Sequence, residues 1–197
     1  MREAKSEDVI PIWLCSIAGG AMGWAYETAY DGVFRHMLTL RESLILPWCP
    51  IYAVGVALII AASRLLKPNE AKLGWAKAFM LSAAVATTVE LASSYLIEAL
   101  SGGHVPWNYS SYFMNFQGRI ALWPAFMFGV GGAIALKVIL PRASAFAESE
   151  PAKARWLSLA ILGLCVGDIA LEAIGFNEVF REALSKIPWV CVQGVLK

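Results

Sequence analysis

The chain has 197 residues, of which 58% are hydrophobic and only 16% charged, a composition too apolar for an ordinary water-soluble domain. Its formal net charge of +1 supplies no basic face to offset phosphate charge, which excludes nucleic acid as a partner. The expectation is one transmembrane domain over residues 1–197, an all-α polytopic bundle whose first partner is the lipid bilayer.

Residues 1–8 are polar. The apolar run that begins at Val9 is too long for a signal-peptide core and no small-residue cleavage site follows it, so it reads as a retained helix. Lipid offers the backbone no hydrogen-bond partners, and each long apolar run is therefore read as a helix that satisfies its own peptide groups. Five runs qualify, at about 9–34, 44–66, 73–100, 120–140 and 156–176. Between the last two, residues 141–154 contain Ser144, Glu148, Ser149, Glu150 and Pro151 and read as a mobile cytoplasmic linker. The tail, 177–197, carries Val179, Phe180, Ala183, Leu184 and Ile187 at helical spacing ahead of Pro188, the pattern of an amphipathic helix lying on the membrane surface.

Lys and Arg orient the bundle, because positive residues are retained on the cytoplasmic side of short loops. Ten fall on the side of the amino terminus (Arg2 and Lys5, then Arg64, Lys67, Lys72 and Lys77, then Lys137, Arg142, Lys153 and Arg155) against six on the other (Arg35, Arg41, Arg119, Arg181, Lys186, Lys197). The amino terminus is accordingly expected in the cytoplasm, and the protein in the inner, or plasma, membrane. Of the four cysteines, Cys15 and Cys165 fall inside spans as small hydrophobes, whereas Cys49 and Cys191 lie near the outer surface, where an oxidising compartment would allow them to pair.

Ionisable side chains inside a span cost about 2.5 to 3.5 kcal/mol each on insertion scales, so each asks for a partner or a purpose. The first run carries Glu27 and Asp31, the third Glu90 and Glu98, the fifth Asp168 and Glu172. Residues four apart share a helical face, so these acids align in pairs, and Thr87, Glu90, Ser94 and Glu98 make one polar stripe. Glu27, Glu90, Glu98 and Glu172 all fall in the outer half, where Arg119 opens the fourth run. One Arg among several carboxylates would offset part of the burial cost and leave negative charge for a cation or proton, although such pairs also serve simply to lock helices together. The connection 101–119 adds His104, Trp107, Asn108, Tyr109, Tyr112, Asn115 and Gln117, a mixture that an interfacial aromatic belt alone would explain. Gly19 and Gly23 form a GxxxG pair, Ala21, Ala25 and Ala29 line an adjacent face, and Gly129, Gly131 and Gly132 cluster in the fourth run; packing within the chain is the favoured reading. No zinc-type spacing, phosphate-cradling loop, nucleophile elbow or catalytic triad is present in the sequence, and no cofactor is implied.

Gly23-Trp24-Ala25-Tyr26-Glu27, Leu46-Pro47-Trp48-Cys49-Pro50-Ile51-Tyr52, the stretch from Glu90 to Glu98, Trp107-Asn108-Tyr109-Ser110 and Asn115-Phe116-Gln117-Gly118-Arg119-Ile120 together resemble the bacterial family labelled putative ABC-transporter type IV, or CmpB-like permease. The likeness covers roughly residues 19–140. Where the family's loop motif usually reads Trp-Asp-Tyr-Ser, Asn108 replaces the acid, and Ala53 stands where a Gly is common. The resemblance implies a transport permease. Since the chain carries no GxxxxGK[ST] signature, an ATPase would be a separate protein.

The leading expectation is a transporter or permease component whose outward-side site uses Glu27, Glu90 and Arg119, with Glu98, Trp107, Asn108 and Asn115 at its entrance, for a proton, small cation or small solute. Three alternatives remain open at this point: a substrate-capturing subunit of a multi-component transporter, a membrane enzyme acting on lipid headgroups, and a structural membrane protein. Catalysis ranks below transport, and self-association is left open.

Overall fold

The apolar runs become helices in a computed structural model, which describes residues 9–34, 36, 38–40, 45–66, 73–186 and 190–192. Helices α1 (Val9–Phe34), α2 (Pro50–Leu66) and α3 (Trp75–Leu100) are followed by α4 (Leu122–Ile134), which continues through a π-helical turn, Ala135–Ile139, into α5 (Leu140–Ser149); α6 (Pro151–Ala173) and α7 (Phe176–Ser185) complete the order. The architecture is an all-α bundle. Its single strand pair among the described residues is β1 (Leu38–Leu40) beside β2 (Val190–Val192), three residues each and parallel.

Four helical stretches are long and apolar enough to cross a membrane: Val9–Phe34, Trp75–Leu100, Leu122–Ser149 and Pro151–Ala173. α2, with 17 residues, reaches only about 25 Å at 1.5 Å per residue, against roughly 30 Å of hydrocarbon. The expected second run began at residue 44, but Pro47 and Pro50 delay the helix to Pro50. The backbone N–H groups of the irregular stretch ahead of it, 45–49, are nevertheless satisfied. Ile45 and Leu46 donate their backbone N–H groups to the two carboxylate oxygens of Asp168 on α6, each at 2.9 Å. Trp48 donates to the Leu46 carbonyl at 2.8 Å and Cys49 to the Gly20 carbonyl at 3.1 Å, while the two prolines have no N–H to satisfy. Non-helical backbone is tolerated at membrane depth only under this condition.

The expected linker at 141–154 is a correction: α5 runs to Ser149 and α6 starts at Pro151, with Glu150 (φ −134, ψ 60) as the single break. Pro151 stands in the first turn of α6, where the missing N–H costs no bond, and Ala143, Ala145 and Ala147 favour helix between it and Pro141. The π turn directly precedes Pro141, whose ring would collide with the carbonyl of residue 137 in a regular α turn. Gly175, at φ +76, breaks α6 from α7. The tail contains a helix, α7 (Phe176–Ser185), on which Val179 is 67% and Phe180 40% exposed. Ile187 and Pro188 lie outside the described residues, as do Arg2, Lys5, Arg35, Arg41, Lys67, Lys72, Lys197 and the side chains of Arg181 and Cys191, and with the last the proposed pairing to Cys49.

The core is apolar at the end of the bundle where α1 begins. There Cys15 of α1, Val56, Ile59 and Ile60 of α2, Ala78 of α3, Ala133 of α4, Leu136 of the π turn and Leu140 of α5 pack together. Small residues set the spacing: Gly19 faces Val56, and Gly129 and Gly132 face Phe79 and Ser82 of α3. The GxxxG pair therefore serves packing within the chain, while Ala21, Ala25 and Ala29 are exposed. Leu96, Leu162, Leu164, Val166 and Ile169 are outward-facing and 44–60% exposed, as expected of surfaces that face acyl chains. The opposite end is polar.

Candidate intramembrane polar site

Two groups of polar side chains occupy that opposite end. The first joins α1, α2, α3 and the α3–α4 connection. Glu27, two turns from the end of α1, accepts a hydrogen bond from the hydroxyl of Tyr52, in the first turn of α2, at 2.7 Å. Tyr52 can lie against α1 because Gly23 has no side chain: a Cβ there would run into the Tyr52 ring. Glu90 of α3 is only 6% exposed and accepts a hydrogen bond from the hydroxyl of Tyr109 at 2.9 Å. Its second oxygen, Oε2, is buried without a hydrogen-bond partner. The carboxylates of Glu27 and Glu90 lie within electrostatic range of one another and of Tyr109. Two acids and two phenols thus form one cluster. Burial first, and then the Glu90 and Glu27 charges, push the Tyr109 phenol up, which keeps it a donor.

The second group is built on Arg119, 9% exposed, just ahead of α4. Its Nη1 donates to the Ser94 hydroxyl at 2.8 Å, its Nη2 pairs with Glu98 Oε2 at 2.5 Å, and its guanidinium carbon lies 4.1 Å from the centre of the Tyr95 ring. The Tyr95 hydroxyl in turn bonds the Gln117 amide oxygen. Planar donors at fixed angles and a flat face that stacks on an aromatic ring are properties of Arg that Lys lacks. Trp107 closes the group by donating its indole N–H to the Arg119 carbonyl at 2.8 Å.

The connection that delivers Tyr109 and Arg119 is held by amides. Asn108 Oδ1 accepts the Ser110 N–H at 2.9 Å, an Asx turn that an Asp would make equally well. Asn115 donates to the carbonyls of Ser110 and Tyr112 at 3.1 and 3.0 Å and accepts the Gly118 N–H at 3.1 Å. Tyr109 N–H reaches the Gly118 carbonyl at 2.7 Å. Gly118, at φ +67, fits here doubly, since a Cβ would also come within 2.9 Å of Asn108 Oδ1.

The structure therefore divides the residues singled out in the sequence. Glu27 and Glu90 each accept a tyrosine hydroxyl, from Tyr52 and Tyr109 respectively. Arg119 meets Glu98, Ser94 and Tyr95 and makes its hydrogen bonds there, not to Glu27 or Glu90. Trp107 lies on Arg119, and Asn108 and Asn115 bond within the connection. Asp168, 4% exposed, binds the backbone ahead of α2, Asp31 is fully buried, and Oε2 of Glu172 is a buried acceptor with no hydrogen-bond partner. Sequence reasoning passed over Tyr52 and Tyr109 as partners for the acids. The available signal was their position inside the same short motifs as the polar residues. Among the described residues no three His, Cys, Asp or Glu side chains converge as a metal site. Two open apolar grooves, of about 310 and 480 Å³, flank the start of α3 at the other end of the bundle and contain none of these groups.

Helices of spanning length, exposed apolar faces and a polar cluster enclosed at one end define a multi-pass α-helical membrane protein. The chain belongs to the family described as putative ABC-transporter type IV, whose model matches residues 14–173. Membership and apolar helices together make it a membrane transporter or permease component in general terms. No curated protein and no solved structure matches the chain.

Proposed function

We propose that this permease component carries a proton, small cation or small solute through an intramembrane site on its outer side, with Glu27 and Glu90 at the centre and Arg119, Glu98, Trp107, Asn108 and Asn115 shaping the entrance. The observation that carries this reading is the Glu90 carboxylate on the spanning helix α3, 6% exposed with one oxygen unpartnered. A purely structural acid would be expected to have both oxygens satisfied, as Asp168 does. The ten-to-six distribution of Lys and Arg supports a cytoplasmic amino terminus in the inner membrane. An ATPase, where one drives the process, is a separate subunit.

Reconstitution into proteoliposomes tests the reading, with a trapped pH dye reporting protons and labelled sodium or rubidium reporting cations. Flux above that of empty liposomes is expected, reduced at least tenfold in Glu90→Gln and Glu27→Gln while the thermal midpoint is kept. Equal flux in wild type and both variants would remove the site from the mechanism.

A further inference from the structure

We infer that the ligand of this site is a proton, held on Oε2 of Glu90 and exchanged with water at the end of the bundle where the α3–α4 connection lies. The inference rests on the transport reading above and names what Glu90 carries.

A carboxylate taken out of water needs hydrogen bonds or a counter-charge in place of its hydration, and a group that finds neither takes up a proton instead. Glu90 lies within the spanning helix α3 and is 6% exposed. Its Oε1 has one donor, the Tyr109 hydroxyl at 2.9 Å, and its Oε2 is buried with no hydrogen-bond partner. Among the described residues no Lys, Arg or His pairs with it. Arg119, the cation that the same connection delivers, turns its terminal nitrogens to Ser94 and Glu98 and its face to Tyr95. The other elements packed on α3 are α4, α2 and the π turn. α4 has no titratable side chain, α2 has Tyr52 at this end and Arg64 at the other, and Lys137 of the π turn is also at the other end. Glu27, on α1, is engaged by Tyr52 and acts on Glu90 only at a distance; the argument does not need it.

A second buried atom without a partner lies on the same stripe of α3. Thr87, three residues before Glu90, has its hydroxyl oxygen in that state. Residues at this spacing are neighbours on a helix surface, and helical side chains lean toward the amino terminus, so the Glu90 carboxyl is directed to the turn that carries Thr87. One proton accounts for both atoms. A neutral carboxyl has an O–H on Oε2 to give, the Thr87 hydroxyl has lone pairs to accept it, and Oε1 remains a carbonyl oxygen that accepts from Tyr109. On release the O–H bond breaks, the proton returns to water and the charge stays on Glu90, where the Tyr109 hydroxyl still donates to it.

The full chain in lipid membranes is followed by infrared difference spectroscopy while the buffer is stepped from alkaline to acid pH and back. The carbonyl-stretch band of a buried protonated carboxyl is expected to appear at acid pH and to be lost on return. Glu90→Gln should lack this band, and Glu150→Gln, on the exposed α5–α6 junction, should keep it. In Tyr109→Phe the band should move to higher wavenumber, because the carbonyl oxygen Oε1 has lost its donor. Identical difference spectra for wild type and Glu90→Gln overturn the inference, and so does a band that does not respond to pH. Should Glu90→Gln fail to fold, Tyr109→Phe decides, and an unmoved band counts against Glu90 as the proton carrier. The two readings fail separately: a titrating Glu90 band without proteoliposome flux removes transport and keeps the proton site, whereas flux of sodium or rubidium without that band removes the proton site and keeps transport.

Discussion

Charged side chains in apolar helices were the residues easiest to single out, and their partners the hardest. Glu27, Glu90, Glu98 and Arg119 stand out because lipid penalises them, and spacing along α3 places Glu90, Ser94 and Glu98 on one face. Spacing does not reach across helices. Tyr52 and Tyr109 resembled ordinary belt aromatics, and their hydroxyls became visible as acid partners only once α1, α2 and the α3–α4 connection were assembled. Arg119 shows how specific such a pairing is. Replacement by Lys keeps the charge but loses the fork that serves Ser94 and Glu98 at once and the face that stacks on Tyr95. We expect Arg119→Lys to destabilise the protein by about 2–3 kcal/mol, read as a lowered thermal midpoint, and Glu98→Gln in the same background to cost much less than it does alone. Additive losses would show that the two do not act as a pair.

Helices are legible from hydrophobic runs, and their ends are where side-chain chemistry decides. Pro, Ser and Glu made residues 141–154 look like a linker, yet Pro151 opens α6, Pro141 follows the π turn, and alanines carry the chain between them. At α2 the prolines act in the opposite way and hold five residues out of the helix. Asp168 makes that arrangement affordable in lipid by accepting two backbone N–H groups. Its alignment with Glu172 was visible in the sequence, whereas its role was not, because backbone donors leave no trace in a pattern of side chains. Asp168→Ala strands both donors and should cost about 2–5 kcal/mol. Asp168→Asn, which keeps one acceptor oxygen, should fall between. Equal midpoints for wild type and Asp168→Ala would mean that water or lipid headgroups replace the carboxylate.

The whole molecule separates its chemistry by depth: a close-packed apolar core at the end where α1 begins, and acids, phenols and a bound Arg at the other. Composition and run length gave the membrane class and the helical bundle, but the division between the two ends depends on antiparallel neighbours and becomes visible only in three dimensions. If the amino terminus is cytoplasmic, Ser111→Cys in the exposed α3–α4 connection should react with a membrane-impermeant maleimide in intact cells, and Glu148→Cys near the end of α5 only after permeabilisation. The reverse pattern would invert the molecule. The π turn at Ala135–Ile139 adds an angular constraint to this arrangement. It takes in one residue more than an α turn requires, so everything after it is rotated by about 100° relative to an uninterrupted helix. Converting it to a regular α turn without removing a residue would turn the face of α5 that leans on α1 out toward its surroundings by about 100°, whereas deleting one residue there would restore the α turn and keep that face in place. The turn works as a phase setting, and its length fixes where α5 points.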